Sequence, residues 1–302
     1  LIDRRLYIPE DWFSSPQRLV QAGVPSDVTF QKKGELALSM IKQAQNNNVQ
    51  FSFIGGDSAY GDLPWFRDAL DDLEKVYCLE VSCDTKVWLS PQLAKEGTSR
   101  KRIDKITEEL PLDKWQRIVV RDGEKKPLEW EFCALRVVTA RDDLPGKEEW
   151  LILRRSLDKK SLKFALSNAP QDTPLEIHAD RISRRYWVER SIQIGKGTAG
   201  LDEYEVRGWK GWHHHMTMTL LAMLFLLQLR VKLQDKAPLL TIEDVVDILE
   251  TVLPKKELTH QEAIELIEKK HKARVASKKS HHRRYNKEQA NQTRASPKDT
   301  ES

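Results

Sequence analysis

The sequence predicts an α/β protein in which a parallel sheet with helical crossovers leads into a β-rich region and then into helices. Three observations support this class. Strand-like and helix-like segments alternate over about the first 80 residues. Residues 83–170 contain strand-like segments separated by turns. Helical periodicity returns at residue 178, and the length allows one large domain or two ordinary ones.

The amino-terminal region carries the alternating pattern. Helix-like segments space their apolar residues three and four apart, whereas strand-like segments are short apolar runs bounded by turn residues. Such alternation is typical of strands joined by helical crossovers. The predicted elements are a strand in residues 1–13, a helix in 35–47, a strand in 49–55, a helix in 62–74 and a strand in 76–81.

The remaining chain changes character twice. Strand-like segments occupy residues 116–121, 128–139, 149–154 and 162–167, with a turn predicted at 144–146. Helices are predicted for residues 178–193, 211–232, 241–252 and 258–270. The apolar segment 216–229 (MTMTLLAMLFLLQL) is shorter than the about 20 residues that a membrane span needs. We therefore expect a buried core helix there and no membrane association.

Composition narrows the functional class. The 302 residues include 50 Lys or Arg and 46 Asp or Glu, for a net charge of +4. With 39% hydrophobic residues and nine Trp, the chain is too apolar to be wholly disordered. Three Cys are too few for a disulfide scaffold, which favours a reducing compartment. Since no signal segment is present ahead of the fold, we expect a cytoplasmic protein.

Asp57 is the first candidate functional residue. It follows the apolar strand 49–55 directly, within FIGGDSAYGD. The carboxyl end of a central strand is where α/β sheets place their ligands. The alternative is that Asp57 only caps the next helix.

A second candidate site lies in DRISRRYWVERSIQIGK, residues 180–196. On a helix, Arg185, Glu189 and Lys196 share one stripe. A carboxylate between two cations suits a site that holds a metal ion beside phosphates. The alternative is a salt-bridged face exposed to solvent.

These motifs resemble DDE transposases of bacterial insertion sequences, in the class with a β-strand insertion and a Y-R-E-K signature. Arg185, Glu189 and Lys196 fit its Arg, catalytic Glu and Lys, whereas Ile182 occupies the Tyr position. The segment GGDSAYGD resembles the surroundings of the second catalytic Asp, which falls on Asp57. LIDRRLYIPEDW, LEVSCDTKVW and FALSNAP are also similar to segments of this family.

The resemblance implies a ribonuclease H-like core with a β-strand insertion between Asp57 and Glu189. It implies a DNA phosphoryl transferase, or endonuclease, in which three carboxylates hold Mg²⁺ or Mn²⁺. Asp57 and Glu189 would be catalytic metal ligands. The expected domains are a partial ribonuclease H-like core in 1–83, the insertion in 84–170, the part of the core that carries the catalytic Glu helix in 171–232, C-terminal helices in 233–268, and a basic disordered tail in 269–302.

The first catalytic Asp of this family has no counterpart. Asp3, Asp11 and Asp27 lack the setting of that residue. We therefore expect a transposase truncated at its N-terminus and inactive alone. The alternative is a catalytically dead DNA-binding remnant that inhibits transposition. By analogy with the family, the partners are transposon ends and target DNA, with a homodimer or a mixed dimer with intact transposase on the bacterial nucleoid.

Several side chains are candidates for contact with DNA. Arg185 and Lys196 would bind phosphate, with Arg184 and Arg190 as weaker candidates. Trp130 in the insertion could stack on an unpaired base, although a strand Trp is more often part of a core. Trp115 and Trp150 share these two interpretations.

The basic tail is a further candidate. Residues 269–287 hold nine Lys or Arg and no acid, whereas residues 1–268 together have a net charge of −4. This tail could contact the DNA backbone, or it could simply be solvated. The mildly basic character of the chain comes from its tail.

Overall fold

The structure, a computed structural model, describes residues 1–121, 127–205, 207–254 and 259–295, with side chains as far as residue 283. The chain divides into two compact units, Leu1–Val245 and Val246–Ser302. All of the strands described below belong to the first unit.

The described strands form one eight-stranded mixed sheet. Its order is β1-β2-β8-β7-β6-β3-β4, and β5 pairs with β6. Together with the helices it confirms the predicted α/β class. The strands are β1 (Ile54–Gly56), β2 (Tyr77–Glu80), β3 (Lys86–Trp88), β4 (Lys101–Arg102), β5 (Gln116–Arg121), β6 (Leu128–Arg141), β7 (Leu144–Arg155) and β8 (Leu162–Ser167).

Twelve α-helices and a short 3-10 helix (Leu112–Lys114) occur in the described residues. Most of them are short and surround the sheet, whereas the longest follow it in the chain. The α-helices are α1 (Glu10–Phe13), α2 (Pro16–Gln21), α3 (Lys33–Asn46), α4 (Ser58–Gly61), α5 (Pro64–Asp72), α6 (Pro91–Lys95), α7 (Ile103–Glu109), α8 (Leu175–Ser183), α9 (Arg185–Ala199), α10 (Trp209–Leu233), α11 (Ile242–Val252) and α12 (His260–Ala295).

Strands β1 and β2 are parallel, with Ile54 opposite Tyr77 and Gly56 opposite Leu79. The chain crosses between them through α4 and α5, as the alternating pattern predicts. Every other strand pair described is antiparallel. The predicted β-rich region does not form a sheet of its own, because β8 pairs directly with β2.

Apolar clusters cover both faces of this sheet. On one side of β2, Tyr77 and Leu79 pack with Phe66 and Leu70 of α5. On the other side, Cys78 packs in a cluster that contains residues of β6, β7, β8 and α8. The alternation of side chains along β2 therefore directs Glu80 to the same side as Cys78.

Two local predictions near turns are wrong. Residues 1–9 form no strand, and the segment ends at Pro9, after which α1 begins. The hairpin between β6 and β7 turns at Asp142 and Asp143, with φ of 47° and 64°, not at residues 144–146. Two-residue hairpins need positive φ, and Asp tolerates it, so the strand continues through Pro145 and Gly146.

Helix α10 differs from the predicted buried core helix. The segment 216–229 is helical, but along the whole of α10 only Thr219 and Leu226 are buried. Leu221, Leu224 and Phe225 are about half exposed. An apolar helix is buried only where other elements pack against it. Within Leu1–Val245 the described residues cover α10 only in part, and α9 is its main contact. Among the described residues, α10 is the one helix long and apolar enough to cross a membrane.

The prediction of a disordered tail from residue 269 is wrong as far as residue 295, because α12 continues through it. The helix contains no Gly and no Pro between His260 and Ala295. It is rich in Lys, Arg, Ala, Gln and Glu, which have high helix propensity. The low hydrophobicity of this segment predicts only that it cannot form a packed core. It does not exclude a single helix, because a helix satisfies its own backbone hydrogen bonds. Residues 296–302 lie outside the described residues.

Candidate active site

Asp57 lies where β1 ends and α4 begins. Its carboxylate Oδ1 accepts a hydrogen bond from the Ala59 N–H at 3.1 Å, so Asp57 caps α4. The side chain remains exposed to solvent. The two interpretations of this residue are thus compatible, since capping uses one carboxylate oxygen and leaves the other available.

Glu80 ends the neighbouring strand and was not among the predicted site residues. Because Gly56 pairs with Leu79, Asp57 and Glu80 are the next residues of two parallel strands and lie at the same sheet edge. The backbones approach closely here: a Cβ on Gly61 would lie 1.9 Å from the Glu80 carbonyl oxygen. Glu80 is the only charged residue in the strand-like segment VYCLEV, which was a signal that could have identified it.

Arg185, the first residue of α9, joins two carboxylates. Its Nε donates to Glu80 Oε1 at 3.1 Å, and its Nη2 lies 2.6 Å from Glu189 Oε1. Lys163 of β8 approaches the other Glu80 oxygen at 3.6 Å. Glu80 is buried and Glu189 is exposed. Buried Glu80 therefore holds the Arg185 guanidinium in place, and the guanidinium reaches solvent beside Glu189.

A narrow cleft of about 150 Å³ surrounds this ion-pair chain. Trp130 lines the cleft, and the Arg154 guanidinium lies over its ring at 4.8 Å from the centroid. Arg121 lies 3.6 Å from the ring centroid of Tyr186 in the same way. Burial lowers the pKa of Arg154, whose guanidinium nevertheless stays charged at neutral pH. The cleft thus combines cations with aromatic rings beside Glu189.

Trp115 and Trp150, the other two candidate stacking residues, lie outside this cleft. Trp115 is buried, with Arg155 over its ring at 3.8 Å. Trp150 packs against His178, with ring centroids 5.0 Å apart. Trp130 is therefore the one of the three that lines the cleft with Glu189.

The predicted phosphate-binding cations are only partly brought together. Arg185 and Glu189 meet in the cleft. Arg184 pairs with Asp180 at 2.7 Å, and Arg190 pairs with Glu243 at 2.9 Å. Lys196 lies exposed in the last turn of α9. The predicted stripe is a real feature of α9, but only its first two members form a direct ion pair.

The oxygen ligands available here suit Mg²⁺ chemically, because this ion prefers carboxylates and retains waters. Within the described ranges, however, no three His, Cys, Asp or Glu side chains converge to form a metal site. Asp57 and Glu189 alone are thus an incomplete ligand set for a pair of metal ions. Glu189 is also engaged by Arg185, which a metal ion would have to displace.

Comparison with known families agrees with the motifs. Residues 1–140 match the family model of the DDE superfamily endonucleases. This match covers 140 of the 302 residues and supports a DDE-superfamily endonuclease or transposase, and the mixed sheet with flanking helices is consistent with a ribonuclease H-like nuclease fold. The match includes Asp57 and Glu80 and ends before Glu189. A search of curated proteins finds no match.

Proposed function

We propose that this chain is the transposase component of a bacterial insertion sequence and binds the DNA at which strands are cut and joined. Asp57 and Glu189 are the proposed ligands of Mg²⁺ or Mn²⁺. The observation that supports this proposal best is the ion pair between Arg185 and Glu189, anchored on Glu80 at the edge where Asp57 lies.

Each side chain has a distinct proposed task. Arg185 binds a DNA phosphate, since its guanidinium is held by buried Glu80 and faces solvent beside Glu189. Lys196 contributes a second positive charge further along α9. Arg184 and Arg190 are weaker candidates, because neither lines the cleft beside Glu189, and they pair with Asp180 and Glu243 instead. When bound, divalent metal ions would stabilise the attacking and leaving oxygens of the phosphodiester.

We propose further that the chain alone does not cut DNA. Two carboxylates without a third bind a metal pair poorly, and no three-ligand group converges in the described parts of the chain. The same observation favours the second candidate function, a DNA-binding inhibitor that joins intact transposase on the bacterial nucleoid as a mixed dimer. If the chain is instead the transposase itself, we propose that it acts as a homodimer.

A cleavage assay tests this proposal. The purified chain is incubated with duplexes from the DNA that flanks its own gene, with Mg²⁺ or Mn²⁺. We expect binding without cleavage. Metal-dependent cleavage that Glu189→Gln abolishes would show that the chain is a complete nuclease. Absence of any DNA binding would overturn the function itself.

The ligand assignments need a separate measurement. Binding of Mn²⁺ can be followed by the loss of its free electron-paramagnetic-resonance signal. We expect Asp57→Asn and Glu189→Gln each to weaken Mn²⁺ binding. The matched control is Glu148→Gln, which removes an exposed carboxylate on β7. Equal Mn²⁺ binding by all of these proteins would contradict the assignment of Asp57 and Glu189.

A further inference from the structure

The basic half of α12 carries a concentration of positive charge, and the nearest acids, Glu265 and Glu268, lie in the turn before it. Residues 269–283 contain seven Lys or Arg and no Asp or Glu. All seven side chains are exposed. For the described side chains of this segment, none of the ion pairs in the structure involves these cations. The charge is therefore available to an external polyanion.

The cations are not spread evenly around the helix. At about 100° per residue, they fall into two rows on opposite sides of α12. The first row is Lys270, Arg274 and Lys278. The second row is Lys269, Lys272, Lys279 and Arg283.

The two faces between these rows differ in size. One face, about 90° from each row, carries the small side chains Ala273, Ser277 and Ser280. The opposite face carries His271, Val275 and His282. We call the first face the small face and the second the bulky face. Only on the small face can the helix backbone approach a surface closely while both cation rows reach forward.

This arrangement matches the major groove of duplex DNA. The groove is about 12 Å wide, and a helix with its side chains is about 10–12 Å across. Phosphates line both walls of the groove, so two opposite rows of cations can each meet one strand. Residues 269–283 extend over roughly 21 Å, which corresponds to about six base pairs.

We propose that residues 269–283 of α12 form a second DNA-binding site, which enters the major groove with the small face toward the bases and one cation row on each backbone. The proposal rests on the proposed function only in taking DNA as the ligand. The segment is an element of the unit Val246–Ser302, and it contributes nothing to the Asp57 and Glu189 chemistry.

The first test removes one row. The full chain with Lys270→Gln, Arg274→Gln and Lys278→Gln keeps a good helix former at each site. Its control carries Lys42→Gln, Lys95→Gln and Lys236→Gln, three exposed lysines elsewhere, and has the same net charge. Affinity for a random duplex is measured by fluorescence anisotropy in EDTA at several salt concentrations. The slope of the logarithm of the binding constant against the logarithm of the salt concentration has a magnitude of about 0.9 per phosphate contact. We expect the row variant to reduce this magnitude by about 2–3, and the control to leave it unchanged.

The second test asks which face meets the DNA. Ala273→Glu places a carboxylate on the small face, whereas Val275→Glu places the same charge on the bulky face, two residues away. If α12 attracted DNA only through its overall charge, the two variants would bind DNA with equal affinity. We expect Ala273→Glu to weaken binding at least tenfold more than Val275→Glu.

The outcomes separate this site from the proposed function. If the full chain binds no DNA at any salt concentration, both proposals fail. If it binds DNA but the row variant keeps the full salt slope, or the two Glu variants bind equally, the α12 site fails and the proposed function remains.

Discussion

Arg67 of α5 and Glu149 of β7 form an ion pair in the interior of the protein, with Arg67 Nε 3.1 Å from Glu149 Oε1 and both side chains almost fully buried. The Tyr77 hydroxyl donates to the same Glu149 oxygen at 2.5 Å, and Thr139 donates to the other. Burial beside this carboxylate raises the pKa of Tyr77. The network joins α5 of the helical crossover to the antiparallel strands β6 and β7.

Breaking this pair is expected to destabilise the fold strongly. Glu149→Leu would leave the buried Arg67 guanidinium without its carboxylate, at an expected cost of about 3–5 kcal/mol. Urea denaturation followed by circular dichroism measures the change. The control Glu148→Gln alters the exposed neighbour, and we expect it to cost less than about 1 kcal/mol. A loss at Glu149 as small as at Glu148 would contradict the importance of the network.

His178 makes stability depend on pH. It is fully buried on α8, and neither ring nitrogen has a hydrogen-bond partner among the described residues. Burial, with Arg181 and Arg136 nearby, lowers its pKa to about 4. Because the unfolded chain binds a proton near pH 6.5 and the folded chain does not, stability falls as pH drops from 6.5 to 4.

The size of this effect follows from the pKa shift. At about 1.4 kcal/mol per pH unit, up to about 3 kcal/mol of stability should be lost across that interval. His178→Leu should remove this part of the pH dependence, whereas the exposed His271→Gln should retain it. Denaturation midpoints measured at pH 7, 5.5 and 4 test the prediction, and parallel pH curves for wild type and His178→Leu would refute it.

Two glycines should respond to alanine in opposite ways. Gly61→Ala would place a Cβ against the Glu80 carbonyl oxygen, so the backbones at the sheet edge must separate. We expect a loss of more than about 3 kcal/mol by this overpacking. Gly197 lies within α9 with open space around it, so Gly197→Ala should stabilise the helix by about 0.5–1 kcal/mol. Thermal denaturation shows whether each substitution lowers or raises the melting temperature; we expect Gly61→Ala to lower it and Gly197→Ala to raise it.

The neighbouring arginines at the start of α9 should differ in DNA binding. Arg185→Gln removes the guanidinium held beside Glu189, and a lost charged hydrogen bond of about 1.5–3 kcal/mol corresponds to at least a tenfold loss in affinity. Arg184→Gln removes an exposed cation that pairs with Asp180 outside the cleft, and we expect less than about a twofold change. Anisotropy titrations in EDTA measure both. Equal losses would indicate a general charge effect.

Local patterns predicted local structure well. The run lengths and spacing around β1, α5 and β2 indicated a parallel pair with a helical crossover, and this is what forms. The spacing of Arg185 and Glu189 predicted that they share a helix face, and they form an ion pair. These predictions succeed because each depends on residues close together in the chain.

Long-range features could not be predicted in this way. The pairing of β8 with β2 joins residues more than 80 positions apart, and no local period encodes it. Glu80 was missed because an acid within an apolar strand reveals its role only when Arg185 is seen beside it. The exposure of α10 was missed because apolar composition does not indicate what covers a helix.

The direct pairing of β8 with β2 has a consequence for how this protein can vary. An inserted region that hangs from a loop can be deleted, shortened or exchanged with little effect on its host. Here, removal of the antiparallel strands β3–β8 would leave β2 as a bare sheet edge, open to pairing with other chains. These strands are therefore not a detachable module, and a variant without them would be expected to aggregate through that edge.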